Sequence, residues 1–259
     1  MGITKITSSM KPGKNILFRC ITKIKNISPR LNRNYKNIPV IINNYNRLDC
    51  LLKLINWLER AGMKNIYIID NASDYPPLMK FYNSTSYTVF QLDSNKGHFS
   101  LWETIIFSRF SNGYYIYTDP DIIPVEECPL DAVKYFGDIL KLHKEINKVG
   151  FGLKVDDLPD YYPLKQKVLE WEKQFWRKQV KPDLYDAMID TTFALYRPNV
   201  AGGVTVKAYR TGGRYMARHI PWYEDPSHLS TETQYYLHTS SSSSSWYATV
   251  KGENSQYLQ

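Results

Sequence analysis

The sequence is poor in cysteine, and its three cysteines, Cys20, Cys50 and Cys128, are far apart. They provide neither a disulfide framework nor the close spacing of a zinc site. The chain has no uninterrupted run of about 18 apolar residues, so it predicts no membrane-spanning helix. The glycine motifs of dinucleotide-binding and P-loop proteins are absent, and so is the Gly-x-Ser-x-Gly elbow of many hydrolases. These absences exclude the standard forms of those three sites.

Acidic residues are missing from residues 1–37, which hold nine Lys or Arg. The remainder has 24 basic and 25 acidic residues, so the net charge of +8 belongs to this arm. A near-neutral body disfavours a nucleic-acid partner. Leu17, Ile21 and Ile24 recur among the cations at helical spacing, which predicts either contact with an anionic membrane surface or a solvated extension. With the cysteine content, this favours a cytoplasmic protein that is peripheral on the inner face of the membrane.

Beyond the arm, short apolar or β-branched runs alternate with amphipathic stretches. The pattern predicts strands at 39–42, 65–69, 87–92, 114–118 and 148–153, and helices near 48–58, 99–110 and 131–142. Such alternation is typical of an α/β fold with a mostly parallel central sheet flanked by helices. We therefore expect one domain over residues 38–239, preceded by the arm (1–37) and followed by a Ser-rich flexible tail (240–259).

Polar residues follow four successive predicted strands, namely Asn43, Asp70, Asn95 and Asp119. Because ligands of open α/β sheets bind outside the carboxyl ends of the strands, these side chains are predicted to share one binding edge. A single Asn or Asp at a strand end is also common in turns. The repetition is what favours a site for a polar ligand.

The strand at 114–118 runs into Asp119-Pro120-Asp121. Two carboxylates one residue apart can hold a hard divalent cation, which in turn binds phosphate oxygens. By itself an Asp-x-Asp triplet is weak evidence and favours a plain turn, because Asp and Pro are common turn residues. The remaining motifs decide between these interpretations.

Taken together, the motifs resemble bacterial glycosyltransferases of the GT-A (Rossmann-like) fold, of the family-2-like kind that builds capsule or O-antigen polysaccharide. The resemblance covers most of residues 38–240. The segments that carry it are IINNYNRLDCLLKLINWLERAG, NIYIIDNASDYPPL, YIYTDPDIIPVEECP, KVGFGLKVDDLPDYY, EWEKQFW, IDTTFALYRP and RHIPWYED.

The resemblance implies a nucleotide-sugar donor, expected to be a UDP-sugar, a glycan or lipid-linked glycan acceptor, and a divalent cation (Mn²⁺ or Mg²⁺). It implies a metal site formed by Asp119, Asp121 and His219, with His238 as a rival histidine. The residues implied at the nucleotide-sugar are Asn43, Tyr45, Arg47, Asp70, Asn71, Lys96, Asp119 and Arg218.

Inversion at the anomeric carbon, which the resemblance favours, requires a carboxylate that deprotonates the acceptor hydroxyl. The candidate bases are Asp190, which leads, Asp157 and Glu224. The candidate acceptor-binding residues are Tyr161, Tyr162 and Trp222. Two other functions stay open: a non-catalytic nucleotide- or carbohydrate-binding protein that retains the fold, and a nucleotidyltransferase.

Overall fold

The computed structural model describes residues 4–6, 35–203 and 205–240. The amphipathic part of the basic arm and the Ser-rich tail after Ser240 lie outside the described residues. Within the described part of the chain, none of the helices combines the length and apolar character that crossing a membrane requires.

One sheet of eleven strands organises the described residues. The strands are β1 (Thr4–Ile6), β2 (Val40–Asn44), β3 (Ile66–Asp70), β4 (Thr88–Leu92), β5 (Tyr115–Thr118), β6 (Ile122–Pro124), β7 (Lys148–Leu153), β8 (Gln179–Lys181), β9 (Leu184–Asp186), β10 (Ala194–Tyr196) and β11 (Ala208–His219). Their order is β1-β4-β3-β2-β5-β10-β7-β11-β9-β8, and β6 pairs with β11 beside this path.

The sheet is mixed, which corrects the prediction of a mostly parallel one. From β1 to β5 all neighbours are parallel, and β7 is parallel to β11. Strand β10 enters antiparallel between β5 and β7, and β6, β8 and β9 also pair antiparallel. These antiparallel strands are short and follow loops or turns, whereas parallel neighbours need long crossover connections. The α/β class itself is confirmed.

Helices pack on one face of the sheet, and the segment 97–110 packs on the other. The helices are α1 (Asp49–Arg60), α2 (Pro76–Ser84), α3 (Ala132–Leu142), α4 (Lys165–Lys173) and α5 (Thr231–Thr239). The predicted helix at 99–110 is wrong, because this segment forms two 3₁₀ turns, Gly97–Phe99 and Ile105–Arg109. Thr104 between them is extended, with φ −127° and ψ 163°, so the backbone hydrogen bonds of a continuous helix cannot form there.

The core lies on both faces of the parallel strands. Val40 and Ile42 of β2 pack into one apolar cluster, and Ile41 between them packs into the other. Helix α1 covers the first face with Leu51 and Leu54, which are fully buried. A strand that is buried on both faces reads as a continuous apolar run, which is why β2 is evident in the sequence.

Candidate active site

The carboxyl ends of β2, β3 and β5 meet at one edge of the sheet. In the parallel register Asn44 lies beside Asp70, and Ile42 lies beside Thr118. Asp119 follows Thr118 directly, so it emerges level with Asn43 on the neighbouring strand. The arrangement therefore brings together three of the four strand-end residues singled out in the sequence, namely Asn43, Asp70 and Asp119.

His219 reaches Asp121 through strand pairing across a long stretch of sequence. The last residue of β11 is His219, which pairs with Ile122 of β6, and the Ile220 amide donates to the Asp121 carbonyl oxygen at 2.9 Å. As a result, Nε2 of His219 lies 3.7 Å from Oδ2 of Asp121. The structure thus joins two of the three residues predicted at the metal.

Asp119 is the third residue predicted at the metal. Its Oδ2 accepts a hydrogen bond from the Thr191 hydroxyl at 2.6 Å. Burial and the neighbouring Asp121 carboxylate hold the pKa of Asp119 well above its usual range, while hydrogen bonds from Thr191 and Asn43 act in the opposite direction. A positive charge placed between the two carboxylates would relieve their repulsion.

The donors around Asp121 fit a divalent cation in type. Carboxylate oxygens suit both Mn²⁺ and Mg²⁺, and the imidazole nitrogen beside them suits a transition-metal ion such as Mn²⁺ better than Mg²⁺. Burial lowers the pKa of His219, and Asp121 opposes the shift. Its Nδ1 is buried and has no hydrogen-bond partner among the described residues. Within residues 35–203 and 205–240, however, no group of three or more His, Cys, Asp or Glu side chains stands ready to hold a metal ion. The donor types fit a cation, but the set is not preassembled.

Two asparagines at strand ends fix the loop at Lys96 and Gly97. The side-chain amides of Asn43 and Asn71 both donate to the Gly97 carbonyl oxygen, at 3.2 and 2.8 Å. Oδ1 of Asn71 accepts from the backbone amide of Lys96 at 2.7 Å. Gly97 adopts φ +70°, a conformation that favours glycine. Asn43 and Asn71 therefore position the exposed Lys96 at the same edge.

Asp70 ends β3 with its side chain almost fully buried, at 2% exposure. Burial raises the pKa of Asp70 to about 6, against the lowering effect of hydrogen bonds from Ser73. The backbone amide of Ser73 donates to Oδ1 at 3.2 Å. Ala72 adopts φ +63°, which turns the chain so that Ser73 can reach back to the carboxylate. A buried carboxylate with so few donors is suited to a ligand that brings an N–H group.

The loop after β2 is held by the C-terminal helix α5. The hydroxyl of Tyr45 donates to the Thr239 carbonyl oxygen at 3.1 Å. Arg47 is 2% exposed, and its guanidinium lies 4.3 Å from the centre of the Tyr236 ring. Nη1 of Arg47 also lies 3.4 Å from Oε1 of Glu224. Tyr45, Arg47 and Glu224 thus form one polar cluster beneath α5.

The N-terminus of α1 is capped by a side chain that is distant in sequence. Oε2 of Glu232 accepts the backbone amides of Leu48 and Asp49, at 2.7 and 2.9 Å. Oδ1 of Asn46 accepts the amide of Tyr75, just before α2, at 2.9 Å. Nothing in the local sequence pairs Glu232 with a helix that begins 183 residues earlier.

The three candidate bases have different surroundings. Asp157 accepts from Tyr223 at 2.6 Å and from Arg218 at 2.7 Å, and these bonds outweigh burial and lower the pKa of Asp157. Glu224 is paired with Arg47. Asp190 precedes Thr191, and its charge contributes to the raised pKa of Asp119. Of the three candidate bases, Asp190 is therefore the one whose charge acts on the Asp119 carboxylate.

Arg218, which is predicted at the nucleotide-sugar, and Arg210 of the same strand β11 are both engaged with acids. Arg218 bridges Asp157 and Glu126, with its Nη1 at 2.6 Å from Oε2 of Glu126. Arg210 forms a buried ion pair with Glu172 at 2.9 Å, where the two side chains are 4% and 3% exposed. Arg210 is thus not open to a ligand in this conformation.

The candidate acceptor-binding residues separate by burial. Tyr161 is 53% exposed, and its hydroxyl donates to the Tyr223 carbonyl oxygen. Tyr162 and Trp222 are 5% and 2% exposed and belong to the core. In this conformation only Tyr161 of the three presents an open ring face on which a sugar can stack.

Three residues near the site are absent from the sequence-based set: Lys148, Thr191 and Glu232. Thr191 directly follows the candidate base Asp190 in the segment IDTTFALYRP, so the sequence had already singled out that segment. Lys148 and Glu232 act through contacts that are distant in sequence, and no local pattern indicates them.

Comparison with known proteins gives no family assignment. The chain matches no protein-family model. It matches no curated protein either. The function therefore has to be argued from the geometry of the site.

Proposed function

We propose that this protein is a GT-A-type glycosyltransferase that moves a sugar from a nucleotide-sugar to a hydroxyl group of a glycan acceptor, with a divalent cation. One observation carries the proposal: Asp119, Asp121 and His219 converge at the sheet edge that also presents Asp70 and Asn43. In a bound nucleoside diphosphate, the acidic metal ligands at one end of this site would face the diphosphate, and the buried hydrogen-bond acceptor at the other end would face the nucleobase.

The strand order supports this assignment. Counted from the first core strand, β4-β3-β2-β5 has the order 3-2-1-4, so the chain reverses direction across the sheet between β2 and β5. Doubly wound sheets bind nucleotides in the crevice at this switch point. Asn43 on β2 and Asp119 after β5 flank that crevice.

The nucleobase end is assigned to Asp70, with Asn71 and the Lys96 loop beside it. A uracil ring offers one imide N–H, which a carboxylate accepts well, and this favours a UDP-sugar. Binding such a donor would offset part of the cost of burying the Asp70 charge.

At the other end Asp119, Asp121 and His219 would hold Mn²⁺ or Mg²⁺. The ion would act as a Lewis acid for the charge that develops on the leaving diphosphate. Asp190 accepts the proton of the acceptor hydroxyl while that oxygen bonds to the anomeric carbon. The bond from the anomeric carbon to the phosphate oxygen breaks, and a nucleoside diphosphate leaves with the bonding pair.

A donor panel tests the proposal. Thermal shift with nucleotides and nucleotide-sugars, with and without Mn²⁺, should show stabilisation that depends on the metal, because a ligand that binds only the folded state raises the melting temperature. Asp121→Ala should abolish metal-dependent turnover at an unchanged melting temperature. Asp156→Ala is the matched control, since that carboxylate is 76% exposed and pairs with Lys154 at the surface. Absence of binding by every nucleotide, with and without metal, would overturn the proposal.

One observation favours a second candidate, a non-catalytic nucleotide- or carbohydrate-binding protein. In the described part of the chain no three metal-binding side chains are preassembled. Tight nucleotide binding without turnover across a broad acceptor panel would support that function. Release of pyrophosphate rather than a nucleoside diphosphate would instead identify a nucleotidyltransferase.

A further inference from the structure

Lys148, the first residue of β7, is a lysine with no exposed surface. Its Nζ donates to the carbonyl oxygens of Ile189 at 2.6 Å and Gly203 at 3.3 Å. The Asp190 carbonyl oxygen and the Tyr196 hydroxyl lie at 3.5 and 3.4 Å. Every hydrogen-bond partner found among the described residues is therefore an uncharged oxygen.

Such a position is costly for an ammonium group. Removing a charge from water without a directly bonded counter-ion carries a large desolvation penalty. Burial accordingly lowers the pKa of Lys148 to about 8, against the raising effect of Asp190. The Tyr196 ring, 5.0 Å from Nζ, offers a modest cation–π contribution. An apolar residue would avoid the penalty, so the contacts of the ammonium call for an explanation beyond core packing.

The hydrogen bonds of Lys148 hold together the two ends of one chain segment. Ile189 and Gly203 lie at the two ends of the segment 189–203, and both carbonyl oxygens point to the same ammonium. The segment contains the candidate base Asp190 and also Thr191. The hydroxyl of Thr191 donates to Asp119 at 2.6 Å. One lysine thus connects the sheet with the base and, through Thr191, with the candidate metal ligand.

We propose that Lys148 is a positioning residue, which holds segment 189–203 so that Asp190 and Thr191 stay in place beside Asp119. This inference rests on the proposed glycosyltransferase function. Lys148 has no exposed surface, so the proposal gives it no contact with donor or acceptor. Its contribution is to fix the backbone that carries the base, and misplacement of a reacting group by about 1 Å can reduce a rate by about 100-fold.

Hydrogen exchange tests the structural half of the proposal without any assay of activity. In Lys148→Met, which keeps the length and removes the donors, amides of segment 189–203 should exchange at least about tenfold faster, while β2 to β5 keep wild-type rates. Lys134→Met is the control, because that lysine is 57% exposed on α3. Uniformly faster exchange over the sheet would show that Lys148 is only a core-stabilising residue, and would overturn the proposal.

Steady-state kinetics test the functional half. Lys148→Met should lower kcat by about 10- to 100-fold with the donor KM within about threefold, since the base is misplaced while the nucleotide end is intact. An unchanged kcat, or a loss confined to KM, would overturn the positioning role. If the wild-type protein turns over no donor, the proposed function fails, and hydrogen exchange still decides whether Lys148 holds the segment.

A second variant covers the case in which Lys148→Met does not fold. Lys148→Gln removes the charge but keeps a side-chain amide that can donate to carbonyl oxygens. Lys148→Gln should also speed hydrogen exchange in segment 189–203 selectively and lower kcat, but both effects should be smaller than in Lys148→Met. Wild-type exchange and wild-type kcat in Lys148→Gln would contradict the proposal.

Discussion

Replacing Asp70 by Asn should stabilise the protein at neutral pH. The carboxylate is 2% exposed, and burial raises its pKa from 3.8 to about 6. An asparagine has nearly the same shape, keeps an oxygen that accepts the Ser73 amide, and carries no charge to desolvate. The variant therefore removes the electrostatic penalty with little change in packing.

The magnitude follows from the difference in pKa between the folded and unfolded states. Because the folded carboxyl binds its proton more tightly, the free energy of unfolding falls as pH rises between 3.8 and about 6. Two pKa units or slightly more correspond to about 3 kcal/mol, which is an upper estimate of the gain in Asp70→Asn above that window. About half of the gain should remain near pH 5.

Urea unfolding followed by tryptophan fluorescence at about pH 5 and about pH 8 measures both values. The control is Asp156→Asn, an exposed carboxylate that should change stability by less than about 0.5 kcal/mol at either pH. Asp70→Asn should also weaken nucleotide binding, because the amide no longer offers a charged acceptor. A variant less stable than wild type at pH 8, or a gain that grows as the pH falls, would refute the reasoning.

Three further predictions concern residues other than the proposed catalytic groups. Glu172→Gln should lower the free energy of unfolding in urea by about 3–5 kcal/mol, because it leaves the Arg210 guanidinium buried without its counter-ion. The double change Arg210→Met with Glu172→Leu should lower it much less, and equal losses would contradict this prediction. Glu232→Ala should cost about 1–2 kcal/mol through loss of the cap on α1, and a wild-type unfolding midpoint would show that the cap is unimportant. Removal of residues 1–37 should weaken co-sedimentation with anionic liposomes, since each basic residue near such a surface contributes about 1 kcal/mol. The binding of the full chain should fall with added salt, and donor binding should persist in the shortened chain. Equal sedimentation of both chains would exclude the membrane role.

The amino-acid sequence by itself locates strands β2 to β5 and β7 and the polar residues at or just beyond the ends of β2 to β5. Strands β2 to β5 and β7 appear as apolar runs because both of their faces are buried, and their boundaries differ from prediction by about one or two residues. The same runs locate Asn43, Asp70 and Asp119, because a residue at the end of a parallel strand reaches the ligand edge wherever the strand lies in the sheet.

Only the tertiary structure decides what those residues face. His219 reaches Asp121 because β11 pairs with β6, and Lys148 reaches segment 189–203 because β10 inserts between β5 and β7. Glu232 caps α1, a helix that begins 183 residues earlier in the sequence. Local sequence carries periodicity, turn chemistry and capping preferences, but a contact between distant residues depends on the order and direction of all the strands between them, and no short segment encodes that order.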